Sequence, residues 1–336
     1  MTTISSALEW PSPRKWPAPR TTTGTWLISR SGDFWLACAG GGTLLVVMAL
    51  VLQWHGDREL DTADLLLSEL HLGATYDAIV RGRLWRRIPF DVVAVPVAIL
   101  VLTYGLIFGG HSIVVATAAL HLGAWHRGRQ NFGIARYYQA RMGGPVSAWH
   151  RHLFAAAIYA PMIAGVLYFT STSPLHEGEE YVGLELDPGV LYGLGMLAAA
   201  CVAAYLAYAF RHRERIHPGE RWLVTAQALS FGSAYVVGAW SVSFILVLAV
   251  HHEIQYLYFT YAMARRAGGR RIGDFAAELR LLASFALWPL LGLGTWALCQ
   301  RFESEWLGPF LVSGLLCHYW LDGRIWTSRV RRALPA

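Results

Sequence analysis

The chain has 336 residues, of which 55% are hydrophobic and 15% are charged, and its mean hydropathy is +0.37. Soluble domains carry roughly one quarter charged residues, so this composition, with its long apolar runs, excludes an ordinary soluble protein. The net charge of +6 comes largely from arginines between the apolar runs, which indicates a membrane topology signal rather than a nucleic-acid-binding surface.

The N-terminal segment, residues 1–32, is polar and rich in Ser, Thr and Pro. It lacks the apolar core that follows the basic start of a secretory signal, so we predict a cytoplasmic tail. Residues 33–326 are predicted to form one transmembrane domain, and residues 327–336 a second cytoplasmic tail. The four cysteines lie inside apolar runs, which argues against a disulfide framework.

Apolar segments that approach the roughly 20 residues needed to cross a bilayer predict an all-α, polytopic bundle of about eight to ten spanning helices. In chain order they lie at 34–54, 62–80, 90–108, 111–126, 153–170, 190–210, 222–240, 241–263, 281–299 and 306–325. The second segment is the least apolar. The third and fourth are joined by a predicted tight turn at Gly109-Gly110.

The loops between these segments predict an orientation. If the N-terminus is cytoplasmic, the arginine-rich segments all fall on the cytoplasmic side, as the positive-inside rule requires. These segments are 81–87, 127–151, 211–221, 265–280 and the tail from 324, whereas the acidic stretches 176–180 and 303–305 fall outside. Lys15 is the only lysine among 28 basic residues, which favours a bacterial source. We therefore predict a multi-pass protein of the bacterial inner membrane with both termini in the cytoplasm.

Histidine supplies most of the ionisable side chains inside the predicted spans, with 13 in the chain. Such residues are costly in lipid and mark functional sites by default. In the second span, His71 belongs to a polar stripe with Asp64, Ser68 and Thr75, at spacings that fall on one helix face. The fourth span carries His121 and His126.

Two later spans carry further groups. His251 and His252 are adjacent in the eighth span, with Gln255 close by, and His318 precedes Asp322 by about one turn in the last. The histidines at 55 and 111 are predicted to be hydrogen-bonded packing residues. Those at 150, 152, 212 and 217 are predicted to be solvated or interfacial, because they lie in basic loops.

The histidine groups fall in the middle or the cytoplasmic half of the predicted bundle, which predicts one intramembrane metal centre. Several imidazoles with carboxylates suit iron, zinc, copper or manganese. The expected metal ligands are His71, His121, His126, His251, His252 and His318, with the choice between 121 and 126 and between 251 and 252 left open. Asp322 and Gln255 are expected to orient imidazoles or to bind the metal. Tyr319, together with Tyr256 and Phe259, is expected to line an apolar cavity.

This arrangement resembles the Brp/Blh family of membrane-bound bacterial β-carotene 15,15′-dioxygenases, which spread iron-binding histidines over several spans. The elements that carry the resemblance are His71 with Asp77, His121-Leu122-Gly123, His251 with Gln255, and His318 with Asp322. Gln255 stands where that family would place a second histidine. A weaker similarity connects His121-x4-His126 and His251-His252-x2-Gln255 to the histidine boxes of membrane fatty-acid hydroxylases and desaturases.

Both resemblances imply a non-haem iron enzyme, mono- or dinuclear, that oxidises a lipid-soluble substrate such as an isoprenoid or a fatty acyl chain. The expected partners are the lipid bilayer, an apolar small molecule, molecular oxygen and, for some oxygenase types, an electron-donor protein. Two alternatives stay open at this point. One is a b-type haem electron carrier with axial histidines, and the other is a transporter with a His/Asp proton relay.

Overall fold

The computed structural model describes residues 26–38, 67–76 except 69, 79, 84–172, 182–238, 243–267 and 307–333, and isolated positions between 279 and 297. Within these residues the secondary structure is helical and contains no strand, which confirms the predicted all-α fold. The predicted spans 34–54, 62–80 and 281–299 lie wholly or partly outside the described residues. Within the predicted span 62–80, residues 70–76 are helical.

Seven long helices, which we label α1 to α7, form the described part of the bundle. Their bounds are Phe90–Phe108 (α1), Ser112–Arg141 (α2), Ala148–Thr172 (α3), Pro188–Arg211 (α4), Pro218–Gly238 (α5), Ser243–Ala267 (α6) and Leu307–Ala333 (α7). The first turn of α1, Phe90–Ala94, is π-helical. Shorter helical segments occupy Arg30–Gly32, Asp33–Ala37 and Leu84–Arg87.

Three of these helices, α1, α3 and α4, are long and apolar enough to cross a membrane. Only 6% of the apolar window of α1 and 11% of that of α4 is buried inside the protein. Val97 and Val101 of α1 and Met196 and Leu197 of α4 are exposed. Contiguous apolar surface of this extent is stable only against lipid or a partner, which supports insertion of the bundle into a membrane.

The helix α2 is longer than the predicted fourth span and touches α1, α3, α5, α6 and α7. The segment 127–151 was predicted as a basic loop, and the loop prediction is wrong for residues up to Arg141 and from Ala148, which are helical. The side chains of Ile134, Tyr137 and Tyr138 are buried. Their packing stabilises the helix beyond the arginines at 127 and 129. Gly143 and Gly144 then turn the chain with positive φ angles of 89° and 99°, which favour glycine.

Both ends of the described chain differ from the predicted tails. Leu27 is 3% exposed, and Trp26 stacks on Trp222 with ring centroids 5.5 Å apart. The carboxylate of Asp33 accepts hydrogen bonds from the hydroxyls of Tyr138 and Tyr258, each at 2.8 Å. The end of the predicted N-terminal tail is therefore packed onto α2, α5 and α6. At the other end, α7 runs to Ala333, beyond the predicted end of the last span.

The tight turn predicted at Gly109-Gly110 is confirmed. Gly110 has a φ of 79°, and the backbone N–H of His111 donates to the carbonyl of Leu106 at 2.8 Å. This turn places α2 antiparallel to α1. As a result the middle of α2 lies beside α7, with which it is in contact.

Candidate metal centre

Four buried side chains from three parts of the chain converge on one point. They are His71 in the helical segment 70–76, His126 on α2, and His318 and Asp322 on α7. One potential ligand atom from each residue lies within 4.8 Å of all the others. The exposed fractions are 4%, 6%, 2% and 1% in that order, so the group is closed off from solvent.

One carboxylate oxygen is the centre of this group. Oδ2 of Asp322 lies 3.7 Å from Nε2 of His71 and 3.8 Å from Nε2 of His126 and of His318. These separations are too long for hydrogen bonds. A tetrahedral metal with bonds of about 2.0–2.2 Å would hold its ligand atoms roughly 3.4 Å apart. The ligand atoms lie within 4.8 Å of one another, so they would share a metal ion after moving together by up to about 1.4 Å.

Two of the imidazole nitrogens support the fit independently. Nε2 of His71 and Nε2 of His126 are buried and make no hydrogen bond. A buried polar atom without a partner costs about 1–3 kcal/mol, and native proteins rarely leave such atoms unexplained. A cation held between these nitrogens and Oδ2 of Asp322 would satisfy them together.

The second oxygen of the carboxylate is held by two hydroxyls. Oδ1 of Asp322 accepts hydrogen bonds from Thr75 Oγ1 and from the hydroxyl of Tyr256, each at 2.8 Å. Thr75 Oγ1 also lies 3.1 Å from Nδ1 of His318. When the threonine proton is donated to Asp322, Thr75 Oγ1 can accept a hydrogen bond from Nδ1–H of His318. The lone pair on its Nε2 then faces Oδ2 of Asp322, as a metal ligand requires.

A fourth imidazole, that of His252 on α6, borders the cluster. Its ring centroid lies 5.0 Å from that of His71 and 4.9 Å from that of His126. Nδ1 of His252 is buried and without a hydrogen bond. The carbonyl of His252 accepts a hydrogen bond of 2.9 Å from Gln130, which fixes this turn of α6 against α2.

The structure selects between the alternatives that the sequence left open. His121 lies five residues before His126, about 140° around a helix, and its Nδ1 is 2.9 Å from the carbonyl of Thr117 in its own helix. His251 is buried but is not among the four clustered residues. His121 and His251 therefore lie outside the four-residue group.

The predicted role of Gln255 in the histidine group is also not what the structure shows. Its side-chain amide donates to the carbonyl of Ala37 at 2.6 Å and to Oδ1 of Asn131 at 2.7 Å, and its Oε1 accepts from Gln130 at 2.8 Å. Asn131 in turn donates to Gln227 on α5. This chain of amides joins α2, α5 and α6 beside the cluster.

Of the three aromatic residues expected to line the site, two border the cluster and one does not. The ring of Tyr319 stacks on His126 with centroids 4.9 Å apart, and Tyr256 lies 3.9 Å from His71, so both border the cluster. Phe259 packs against Tyr137 instead, with centroids 5.8 Å apart. It belongs to the hydrophobic core and does not line the site.

Two histidines predicted to be solvated are buried, so that prediction is wrong for them. His150 is 1% and His217 is 0% exposed. Nε2 of His150 lies 2.7 Å from Oε1 of Glu220, which also accepts hydrogen bonds from Gln139 and Tyr205. This network connects α2, α3, α4 and α5 by direct hydrogen bonds. The position of His150 and His217 in basic loops suggested exposure, so no signal in the sequence predicts this network.

No protein-family model matches the chain, and comparisons with curated proteins and with solved structures found no significant match. The likeness to membrane oxygenases rests on the histidine arrangement alone. Of the elements that carried the Brp/Blh resemblance, His71 and the pair His318 with Asp322 are in the cluster. His121 and His251, the other two histidines of that resemblance, lie outside the cluster.

Proposed function

We propose that this protein is a membrane-embedded, histidine-ligated non-haem iron oxygenase that acts on a lipid-soluble substrate. The observation that carries the proposal is the approach of three imidazole Nε2 atoms to one oxygen of Asp322, at 3.7–3.8 Å, in a closed and buried site. Iron bound there would supply the activation of molecular oxygen.

The donor set favours iron among the divalent metals. Two histidines and one carboxylate with open positions are typical of non-haem Fe(II) oxygenases, and the cluster contains such a set with one further imidazole. His71, His126, His318 and Asp322 would hold the metal. Thr75 and Tyr256 would keep the carboxylate in place, because they bind the oxygen that faces away from the imidazoles.

The surroundings of the cluster suit an apolar substrate. The helices α1 and α4 present apolar side chains to their surroundings, so a hydrophobic molecule can reach the protein from the bilayer. Tyr319 covers one face of His126 and would separate the substrate from the ligand. We propose an isoprenoid or a fatty acyl chain as the substrate class. We also propose that the protein lies in the bacterial inner membrane with both termini in the cytoplasm.

The packing of the rings disfavours the haem alternative. A porphyrin between two axial imidazoles would need the space that the remaining imidazole and Asp322 occupy, since all four ligand atoms lie within 4.8 Å of one another. The proton-relay alternative uses the same residues without a metal. The unpaired Nε2 atoms of His71 and His126 favour a metal over a relay, whose members would be linked by hydrogen bonds.

Metal analysis of the purified full-length protein by mass spectrometry, together with its optical spectrum, tests the proposal. We expect close to one or two iron ions per chain and no Soret band. His318→Ala and Asp322→Asn should lose the metal, whereas the control His111→Ala should retain it because His111 is exposed in a turn. A wild-type protein purified without metal and still active would refute the proposal, and a Soret band would favour haem.

A second measurement separates the reaction types. A dioxygenase places both atoms of O₂ in its products and needs no electron donor, whereas a hydroxylase or desaturase takes two electrons from a donor protein. Incubation with ¹⁸O₂ and a candidate carotenoid or fatty acyl substrate, with and without a reductant, therefore distinguishes them. No consumption of oxygen with any apolar substrate would count against an oxygenase even if iron is present.

A further inference from the structure

A groove of about 640 Å³ opens between α4 and α5, away from the metal cluster. Its lining includes Leu206 and Phe210 near the end of α4, Trp222 and Thr225 near the start of α5, and the two arginines Arg30 and Arg221. The groove therefore has one cationic part and one apolar part. A volume of this size accommodates a small-molecule ligand.

The apolar wall of the groove lies on the membrane-facing side of the bundle. Phe210 is 69% exposed, and it ends a helix of which only 11% of the apolar window is buried. The chain leaves α4 at Arg211 and enters α5 at Pro218. The groove is thus at the level where the spanning helix ends, which is where lipid headgroups lie.

The cationic part of the groove has free hydrogen-bonding capacity. Nε of Arg221 is buried and makes no hydrogen bond, although the residue as a whole is half-buried. The guanidinium of Arg30 lies 6.0 Å from the ring centre of Trp222, at the rim of the same groove. Guanidinium groups are preferred partners of a phosphate group because they can bind it through two parallel hydrogen bonds.

Trp222 connects the two parts. Its ring stacks on Trp26 and contacts Phe34 edge to face, with centroids 5.5 Å and 4.8 Å apart. Tryptophan is enriched at the level of lipid headgroups because it is apolar with a polar edge. Basic pockets between helices at this level bind the headgroups of anionic lipids.

We infer that this groove binds one anionic glycerophospholipid, with its phosphate between Arg30 and Arg221 and an acyl chain along Leu206 and Phe210. The occupant follows from charge complementarity combined with the apolar wall, which a free phosphate would leave uncovered. Arg30 comes from the N-terminal segment and Arg221 from α5, so the bound lipid would also fasten this segment to the bundle. The inference does not depend on the metal centre.

Native mass spectrometry of the full-length protein in detergent tests this inference. The delipidated protein is titrated with phosphatidylglycerol or with phosphatidylcholine, and a separate sample receives inorganic phosphate. We expect phosphatidylglycerol to bind with a stoichiometry of one at low concentration. Arg30→Gln and Arg221→Gln should each weaken this binding about fivefold. The matched control Arg215→Gln removes the same charge from an exposed position outside the groove and should have no effect.

Each other outcome overturns the inference. Equal binding of phosphatidylglycerol and phosphatidylcholine would show that charge plays no part. Binding of inorganic phosphate at the same concentrations as phosphatidylglycerol would identify a phosphate site instead. If the arginine variants do not fold, Leu206→Trp, which fills the apolar part of the groove, replaces them. Unchanged phosphatidylglycerol binding by that variant would exclude the groove.

Discussion

The hydroxyl of Thr75 donates a hydrogen bond of 2.8 Å to Oδ1 of Asp322, across a sequence separation of 247 residues. The same oxygen atom of Thr75 lies 3.1 Å from Nδ1 of His318. One threonine therefore fixes both the carboxylate and an imidazole of the cluster. Thr75 lies one turn after His71. The short helical segment 70–76 therefore supplies a candidate ligand, His71, and the hydroxyl that orients two further candidate ligands, His318 and Asp322.

Substitution of Thr75 tests this orienting role. Thr75→Val keeps the shape of the side chain but removes the hydroxyl, so Asp322 loses one hydrogen bond and the ring proton of His318 loses its acceptor. Loss of such a supporting group typically lowers metal affinity about 10–100-fold. Thr75→Ser keeps the hydroxyl and should stay within a few-fold of the wild type. Metal retained against a graded series of chelator concentrations measures the difference, and equal retention by both variants would contradict the role.

The choice between His126 and His121 can be tested by a matched pair. His126→Ala removes one of the three imidazoles around Asp322 and should abolish stoichiometric metal binding. His121→Ala removes an imidazole on another face of the same helix, bonded to its own backbone, and should leave the metal content unchanged. Circular dichroism of both variants controls for folding. Loss of metal in both variants would favour the histidine-box arrangement of desaturases, in which both histidines are ligands, and loss in the His121 variant alone would contradict the assignment of His126.

The elements of the fold were largely predictable because apolar length is a local property. The segment 90–108 matches α1 to the residue, and the turn at Gly109-Gly110 was evident from its two glycines. The continuation of α2 to Arg141 was not. Its buried face includes Tyr137 and Tyr138 and packs against segments that are distant in sequence. Several arginines interrupt the apolar residues of this stretch, so it does not have the continuous apolar run that predicts a spanning helix.

The candidate site was predictable as a set of histidines but not as a geometry. Helical spacing correctly grouped His71 with Thr75 and His318 with Asp322, since each pair lies about one turn apart. It could not choose between His251 and His252, because adjacent residues differ by about 100° around a helix and only the packing of α6 decides which one faces the cluster. The position of Tyr256 beside the cluster could have been predicted from the sequence, since Tyr256 lies one turn after His252.

A glycine beside the site offers a test of the packing around His126. A Cβ atom on Gly123 would lie 2.9 Å from the hydroxyl of Tyr319, whose ring stacks on His126. Gly123→Ala should therefore displace Tyr319 and lower activity several-fold while metal binding persists. Gly314→Ala is the control, because its Cβ would have no neighbour within 4 Å and alanine favours the helix by about 1 kcal/mol. Equal activity in both variants would show that a displacement of the Tyr319 ring does not affect the reaction.

The predicted orientation can be measured with reporter fusions. Alkaline phosphatase folds into an active enzyme only after export, so a fusion after Gly183, in the predicted outer loop, should be active. A fusion after Gly144, in the turn between α2 and α3, should be inactive. A fusion of green fluorescent protein at each site should give the opposite result. An active phosphatase after Gly144 would reverse the orientation and place the basic segments outside.

The buried histidine before α5 predicts a loss of stability in acid. Nδ1 of His217 accepts a hydrogen bond of 3.0 Å from the backbone N–H of Gly219, and burial, with a contribution from Arg221, lowers the pKa of His217 to about 3. The unfolded residue titrates near pH ~6.5, so below that pH the unfolded chain takes up a proton that the folded chain excludes. The stability present above pH ~6.5 is therefore lost progressively as the pH falls towards 3.

At pH 5 this linkage amounts to about 2 kcal/mol relative to neutral pH, which denaturant unfolding in detergent at pH 7.5 and pH 5 can measure. His217→Asn is the control, because asparagine offers an acceptor to the same backbone N–H but does not titrate. It should lower stability at pH 7.5, where the ring stack on Tyr138, with centroids 4.6 Å apart, is lost. Between the two pH values it should lose about 2 kcal/mol less than the wild type does. The same acid loss in both proteins would assign the effect to other groups, because only the wild type has the titrating ring.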